Sequence, residues 1–140
     1  MDDLEAIGHI ETRAFEASRR SSRASLRRAL GSSFQRVLVL EVQGEVAGYL
    51  VLWPYPRTWR IYNLASDPRR RNLGVGSALV AAAVDEARRA GAGRLVLESR
   101  NEPGLLRFYE QRGFRASRKL RDYYSKGEDA VRMELDLAGA

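Results

Sequence analysis

The chain is 140 residues long, 44% apolar and 30% charged, enough for one core that buries roughly 68% of the unfolded surface. Its longest uncharged apolar run, 50–55, is too short to span a bilayer, and the acidic start MDDLEAIGHIE lacks the basic and apolar segments of a secretory signal, so cytoplasmic placement and no membrane partner are expected. A formal charge of +6, with Lys119 and Lys126 the only lysines, suits an anionic partner or reflects base composition; the lack of cysteine and the single His9 exclude thiol catalysis, disulfides, zinc–cysteine sites and serine–histidine triads.

In chain order, Leu4, Ile7, Ile10, Ala14 and Phe15 fall at helical spacing behind acidic residues, which predicts an amphipathic helix over 2–15. Ser21 or Ser22 caps a second predicted helix that ends at Gly31, with Leu26 and Leu30 on one side and Arg23, Arg27 and Arg28 also on it. Runs 36–42 and 46–53 are rich in β-branched residues and joined by Gln43–Glu45, hence a hairpin that Pro54 and Pro56 close. A third strand, 59–65, leads through an arginine-rich loop into a long helix from Val75 to Gly91, and 94–99 returns as a buried strand. Pro103 opens a further helix that stops at Gly113, and 114–120 and 130–137 alternate as two strands around a loop at 123–129. No linker or repeat interrupts this order, so residues 1–140 are expected to form a single mixed α/β domain. Its strand–helix–strand unit makes 59–65 and 94–99 parallel, with a helix amino terminus at the strand's end.

That junction reads SDPRRRNLGVGSAL. Unpaired N–H groups of Leu73, Gly74, Val75, Gly76 and Ser77 suit a pyrophosphate, with Arg69, Arg70 and Arg71 beside them. The loop is neither G-x-G-x-x-G nor a Walker A sequence. A lone G-x-G before a helix is as compatible with a structural turn as with a ligand loop.

Arg71-Asn-Leu-Gly74-Val-Gly76 resembles the R/Q-x-x-G-x-G/A acetyl-CoA signature of the GNAT superfamily of N-acetyltransferases. Downstream, LESR followed by FYEQRGF is similar to that superfamily's strand–helix segment, and DYYSKGEDAVRMELDL to the tail of RimI-type protein N-alpha-acetyltransferases. These motifs cover 36–137, and the opening DDLEAIGHIETRAF is also similar to the RimI-type beginning. The resemblance implies a mixed, mostly antiparallel twisted sheet with a central splayed parallel pair and about four helices. The family starts with a strand ahead of the first helix; here helical spacing begins almost at Met1, so that first strand is read as missing. The edge beside it then needs cover from a second copy in a homodimer, an upstream segment or an early loop.

The same resemblance implies the site. Leu64, Ala65 and Ser66 would pair with the pantetheine arm of acetyl-CoA, the co-substrate, and Arg71, Asn72, Leu73, Gly74, Val75, Gly76 and Ser77 would hold its diphosphate. Glu98 would act as general base toward the acceptor amine and Tyr109 would protonate the departing thiolate, while Tyr123 and Tyr124 would line the acceptor slot. The family's asparagine seven residues before the tyrosine is replaced by Glu102, with Asn101 one position earlier, and the spacing from Glu98 to Tyr109 is one residue shorter than in the RimI type. No metal enters this reading.

The residue types suit the chemistry on their own terms. An ammonium cannot attack a thioester, so a carboxylate must drain its proton; a free N–H near Leu64 would hold the developing oxyanion, and a tyrosine of pKa ~10 suits a thiol of ~8.5. Each residue also has a plainer reading: Glu98 as a solvated carboxylate, Tyr109 as a core aromatic, Tyr123 and Tyr124 as strand aromatics. The expected activity is acetyl transfer from acetyl-CoA to a primary amine, with a protein or peptide α-amino group ahead of a small-molecule amine. A non-catalytic acetyl-CoA-binding protein comes next. A nucleic-acid module ranks last, so no nucleic-acid partner is expected.

Overall fold

A computed structural model describes residues 35–69 and 74–137 and the main chain of 24–29. One sheet runs through all described strands: β1 (Ala24–Ala29), β2 (Arg36–Val42), β3 (Glu45–Trp53), β4 (Thr58–Ser66), β5 (Arg94–Arg100), β6 (Arg115–Ser125) and β7 (Glu128–Asp136), in the spatial order β1-β2-β3-β4-β5-β7-β6. Helices α1 (Val75–Arg89) and α2 (Pro103–Glu110) complete the described elements. Every neighbouring pair is antiparallel except β4 and β5. That exception follows from the connection, because α1 carries the chain back along the sheet before β5 begins.

Alternation along β2 and β3 divides the buried side chains between the two sheet faces. Leu38, Leu40, Leu50 and Leu52 join Leu95, Leu97 and Met133 in a cluster closed by Val75, Leu79, Val80, Ala83 and Ala87 of α1. Small alanines on that stripe let the helix lie close to the sheet, and each fully buried leucine such as Leu79 contributes about 1.5–3 kcal/mol. Val37, Val39, Val46, Tyr49 and Val51 form a second cluster on the opposite face. The β2–β3 hairpin turns on Gln43 and Gly44, both at positive φ (55° and 80°); this mirror-image turn matches the twist of the flanking strands.

Two expectations are corrected here. Residues 24–29, expected inside a capped helix over 22–31, are strand β1, paired from Ala24–Val42 to Ala29–Val37. Arginine and leucine tolerate either state, and the edge of β2 offers a row of main-chain partners that outweighs a modest helical preference. The edge expected to need cover is thus paired with an early segment of the same chain. Second, Tyr123 and Tyr124 belong to β6, since the β6–β7 connection is only a short turn around Lys126 and Gly127. Two helices stand among the described residues where about four were expected; the predicted helix over 2–15 lies outside them.

Candidate active site

The parallel pairing of β4 and β5 runs from Thr58–Arg94 to Ile61–Leu97 and stops there. β4 continues along β3, through Asn63–Val51, Leu64–Leu50, Ala65–Tyr49 and Ser66–Gly48. Between the Leu52–Ile61 and Val51–Asn63 pairs, Tyr62 is an extra residue on β4. Such a bulge bends its strand and increases the local twist, which accounts for the parting of the central strands. Tyr62 is thrown outward and stacks on Trp53 at 4.0 Å between ring centroids. Leu64, Ala65 and Ser66 thus border a gap on the side away from β3. The Leu64 N–H is engaged there by Asn63 Oδ1 at 2.9 Å, and Asn63 Nδ2 donates to the Tyr49 hydroxyl at 3.2 Å. The free N–H expected at Leu64 is therefore satisfied by its neighbour's amide oxygen.

At the carboxyl end of β4, the Asp67 N–H donates to Ala47 O at 2.8 Å, while the buried Asp67 carboxylate accepts from the Arg69 N–H at 2.9 Å and from its guanidinium at 3.2 Å. Arg69, expected to complement a bound anion, is folded back onto that carboxylate; Arg70, Arg71, Asn72 and Leu73 lie outside the described residues. α1 begins at Gly74, whose left-handed φ of 72° suits glycine and whose carbonyl accepts from Ala78 N at 2.9 Å. No side chain caps this end, no acidic residue stands in its first turn, and Arg88 and Arg89 occupy the last. Among the described residues, nothing else occupies the positive end of the macrodipole, a place that favours an anion.

Gly76 has a packing reason independent of any ligand, because a Cβ there would meet Phe108 Cζ of α2 at 3.3 Å. Ser77 receives a hydrogen bond from Arg112, whose guanidinium also donates to Phe108 O at 2.7 Å and lies over the Phe108 ring at 3.8 Å. One arginine thus ties the first turn of α1 to the end of α2. A groove of about 690 Å³ runs from Ser77 along Val80, Ala81 and Val84 to Arg88, with Gln111 and Arg112 on its other wall.

Glu98 stands just beyond the parallel pairing, with its side chain 8% exposed. Arg60 of β4 bonds one carboxylate oxygen and Arg132 of β7 donates to the other from Nε at 2.9 Å. Arg132 is the register partner of Glu98. Tyr109 of α2 is buried beside Phe108 and Phe114. Burial first, and then the neighbouring Tyr124, push its phenol up to about 12, with Arg112 pulling back. The Tyr124 hydroxyl donates to Glu98 O at 3.3 Å, and its ring lies under Arg100 at 4.4 Å and edge-on to Tyr123 at 5.0 Å. Burial also raises the Tyr124 phenol, with Arg100 opposing. Glu98, Tyr109, Tyr123 and Tyr124 therefore share the carboxyl end of β5. Asn101 and Glu102 form the β5–α2 turn: Asn101 N donates to Asp129 O at 3.3 Å, and both line a 250 Å³ recess with Gly127, Glu128 and Asp129.

Arg60, Arg112, Arg132, Asn63 and Asp67 were not singled out as site residues from sequence. For the three arginines the signal lies in strand register and helix packing, which bring residues 34 to 38 positions apart into contact, whereas Asn63 and Asp67 also bond residues one or two positions away. Among the described residues, no group of three or more histidine, cysteine or carboxylate side chains is placed to hold a metal, and no helix is long and apolar enough to cross a membrane.

A mixed sheet opened between its central parallel strands, with an uncapped helix amino terminus on one side and a carboxylate and phenols on the other, defines the class of acetyl-CoA-dependent N-acetyltransferases. Residues 4–114 match the family model described as Acetyltransferase (GNAT) family. The chain is 31% identical to the ribosomal protein bS18-alanine N-acetyltransferase of Escherichia coli K12, over 97% of this chain and 93% of the relative. It is 34% identical to an N-alpha-acetyltransferase of Sulfurisphaera tokodaii, over 71% and 68%. The crystal structure of the E. coli ribosomal-protein-S18-alanine enzyme superposes with a TM-score of 0.77 at 26% identity, over 99% of this chain and 90% of that one. The chain belongs to the acetyltransferase (GNAT) family. It is an acyltransferase that uses acetyl-CoA and acts on an amine.

Proposed function

We propose that this enzyme acetylates the α-amino group of a protein in the cytoplasm, at the carboxyl end of β5. The observation that carries the reading is the parting of β4 from β5 after Ile61, with the first turn of α1 on one side of the gap and Glu98, Tyr109 and Tyr124 at the other. The two relatives named above, one a bS18-alanine and one an N-alpha enzyme, support the same acceptor class.

Acetyl-CoA supplies an acetyl thioester, already activated toward an amine. The left-handed turn at Gly74 and the N–H groups of Val75, Gly76 and Ser77 receive its diphosphate, together with Arg71, Asn72 and Leu73, and the groove from Ser77 to Arg88 has room for further nucleotide groups. The edge of Leu64, Ala65 and Ser66 takes the pantetheine arm once Asn63 Oδ1 releases the Leu64 N–H. Asn101 and Glu102 add contacts to acetyl-CoA from the β5–α2 turn.

Glu98 draws the proton from the acceptor. Because Arg60 and Arg132 engage both its oxygens, the contact runs through a water or through release of one guanidinium. An α-amino group, of pKa ~8, fits better than a lysine of ~10.4. Tyr109 faces the leaving sulfur. With its phenol at about 12, full proton transfer to a thiolate of pKa ~8.5 would cost ~5 kcal/mol, so Tyr109 stabilises the sulfur as a neutral hydrogen-bond donor. Tyr123 and Tyr124 line the acceptor slot.

CoA release is measured with a peptide carrying the bS18 amino-terminal alanine, the same peptide blocked at its amino terminus, and a panel of small amines. Release with the free peptide alone is expected; release confined to small amines would overturn the acceptor assignment. Glu98→Gln should lower kcat by ~10²–10⁴, the usual weight of a proton-handling group, and Tyr109→Phe by ~10²–10³, that of a hydrogen-bond donor to developing charge, with acetyl-CoA affinity retained in both. Unchanged turnover in both would remove their roles.

A further inference from the structure

We propose that Asp122 is a positioning residue that sets the acceptor slot, by holding the two tyrosines of β6 in a bulge against the end of β5. The inference rests on the acceptor site proposed above. β6 and β7 pair in register at Leu120–Ala130 and meet again only at Ser125–Glu128. Four residues, 121–124, therefore stand opposite Asp129 alone. Asp122 is at the centre of this excursion, with a left-handed φ of 53°. Aspartate and asparagine are the non-glycine residues that most readily accept this conformation, through local hydrogen bonds of their short side chains.

Those bonds are present. Asp122 Oδ1 accepts from Gly127 N at 2.7 Å, and Asp122 N donates to Asp129 Oδ1 at 2.9 Å. The second bond, ahead of the Lys119 charge, holds the Asp129 carboxyl below the usual carboxylate range. Asp122 thus clasps the turn that follows it, and the two residues after it are the slot tyrosines. Tyr124 reaches Glu98 O and the Arg100 guanidinium, and Arg100 is tied back to Glu128 at 2.9 Å. Each contact between the bulge and β5 depends on the chain leaving Asp122 in the left-handed direction. An alanine would lose the side-chain acceptor and disfavour the turn; a glycine would keep the turn and lose the acceptor; an asparagine would keep both.

Steady-state kinetics with the bS18 alanine peptide, paired with calorimetry of acetyl-CoA binding, separates slot positioning from general stability. Asp122→Ala and Asp122→Gly should raise the peptide KM about tenfold, equivalent to ~1.4 kcal/mol, with kcat and the acetyl-CoA Kd within about twofold of wild type. Asp122→Asn should restore the peptide KM. A peptide KM unchanged in Asp122→Ala, or raised equally in Asp122→Asn, overturns the inference, as does a parallel loss of acetyl-CoA binding. A wild-type enzyme inert toward the peptide overturns the acceptor reading and this inference with it, whereas turnover by wild type with an unaltered Asp122→Ala overturns this inference alone.

Discussion

Gly48→Ala tests whether the sheet beneath the gap and the start of α1 form one rigid unit. Gly48 lies on β3 opposite Ser66, and a Cβ added there would sit 2.7 Å from Ala65 O, 2.7 Å from Val75 Cγ1 and 3.2 Å from Leu79 Cδ1. Neither of the two close neighbours can swing aside cheaply. Ala65 O belongs to a paired strand, and Val75 is a buried β-branched residue in the first turn of α1. Overpacking of this kind costs about 1–3 kcal/mol, and the reduced entropy of the unfolded chain returns ~0.4–1. The net loss is ~1–2 kcal/mol, which for a domain of this size lowers Tm by about 3–8 °C. The clash also pushes Ala65 and Val75 apart, across the proposed donor channel, so acetyl-CoA affinity should fall about tenfold, or ~1.4 kcal/mol. Thermal unfolding followed by circular dichroism and calorimetric titration with acetyl-CoA read the two effects. An unchanged Tm would refute the packing argument. A lowered Tm with unchanged affinity would refute the link between that packing and the donor channel.

Gly74→Ala meets no atom of the described residues within 4 Å, so its cost is that of a left-handed non-glycine residue, ~1–2 kcal/mol, and Gly74→Asn should recover part of it in urea unfolding. Tyr109 makes stability fall at alkaline pH. Its phenol is neutral in both states well below pH 10, but from about pH 9 up to its folded value of about 12 the unfolded chain, with the ordinary value of 10.0, ionises first, which removes up to about 3 kcal/mol. Tyr109→Phe should remove that part of the decline between pH 9 and 11.5, and an identical slope in wild type and variant would show that the buried phenol is not its source.

Much of the frame is legible without coordinates. Richness in β-branched residues over 36–42 and 46–53, the glycine closing their turn, the apolar stripe of α1 and the proline that opens α2 each act within a few residues. So does the spacing from Arg71 to Gly76, which marks the strand–helix junction as a donor loop through its resemblance to the family. Glu98, Tyr109 and the tyrosine pair are legible as chemical types, and the fold gathers them at one end of β5. Other features depend on partners far away in the chain. Residues 24–29 extend because the edge of β2 accepts them, a choice their own propensities leave open. Arg60 and Arg132 reach Glu98 only when register sets three strands side by side. Local sequence sets which conformations a segment tolerates at small cost. Strand register and helix packing then select among them, because the hydrogen bonds and buried contacts that decide between near-equal alternatives come from residues distant in the chain.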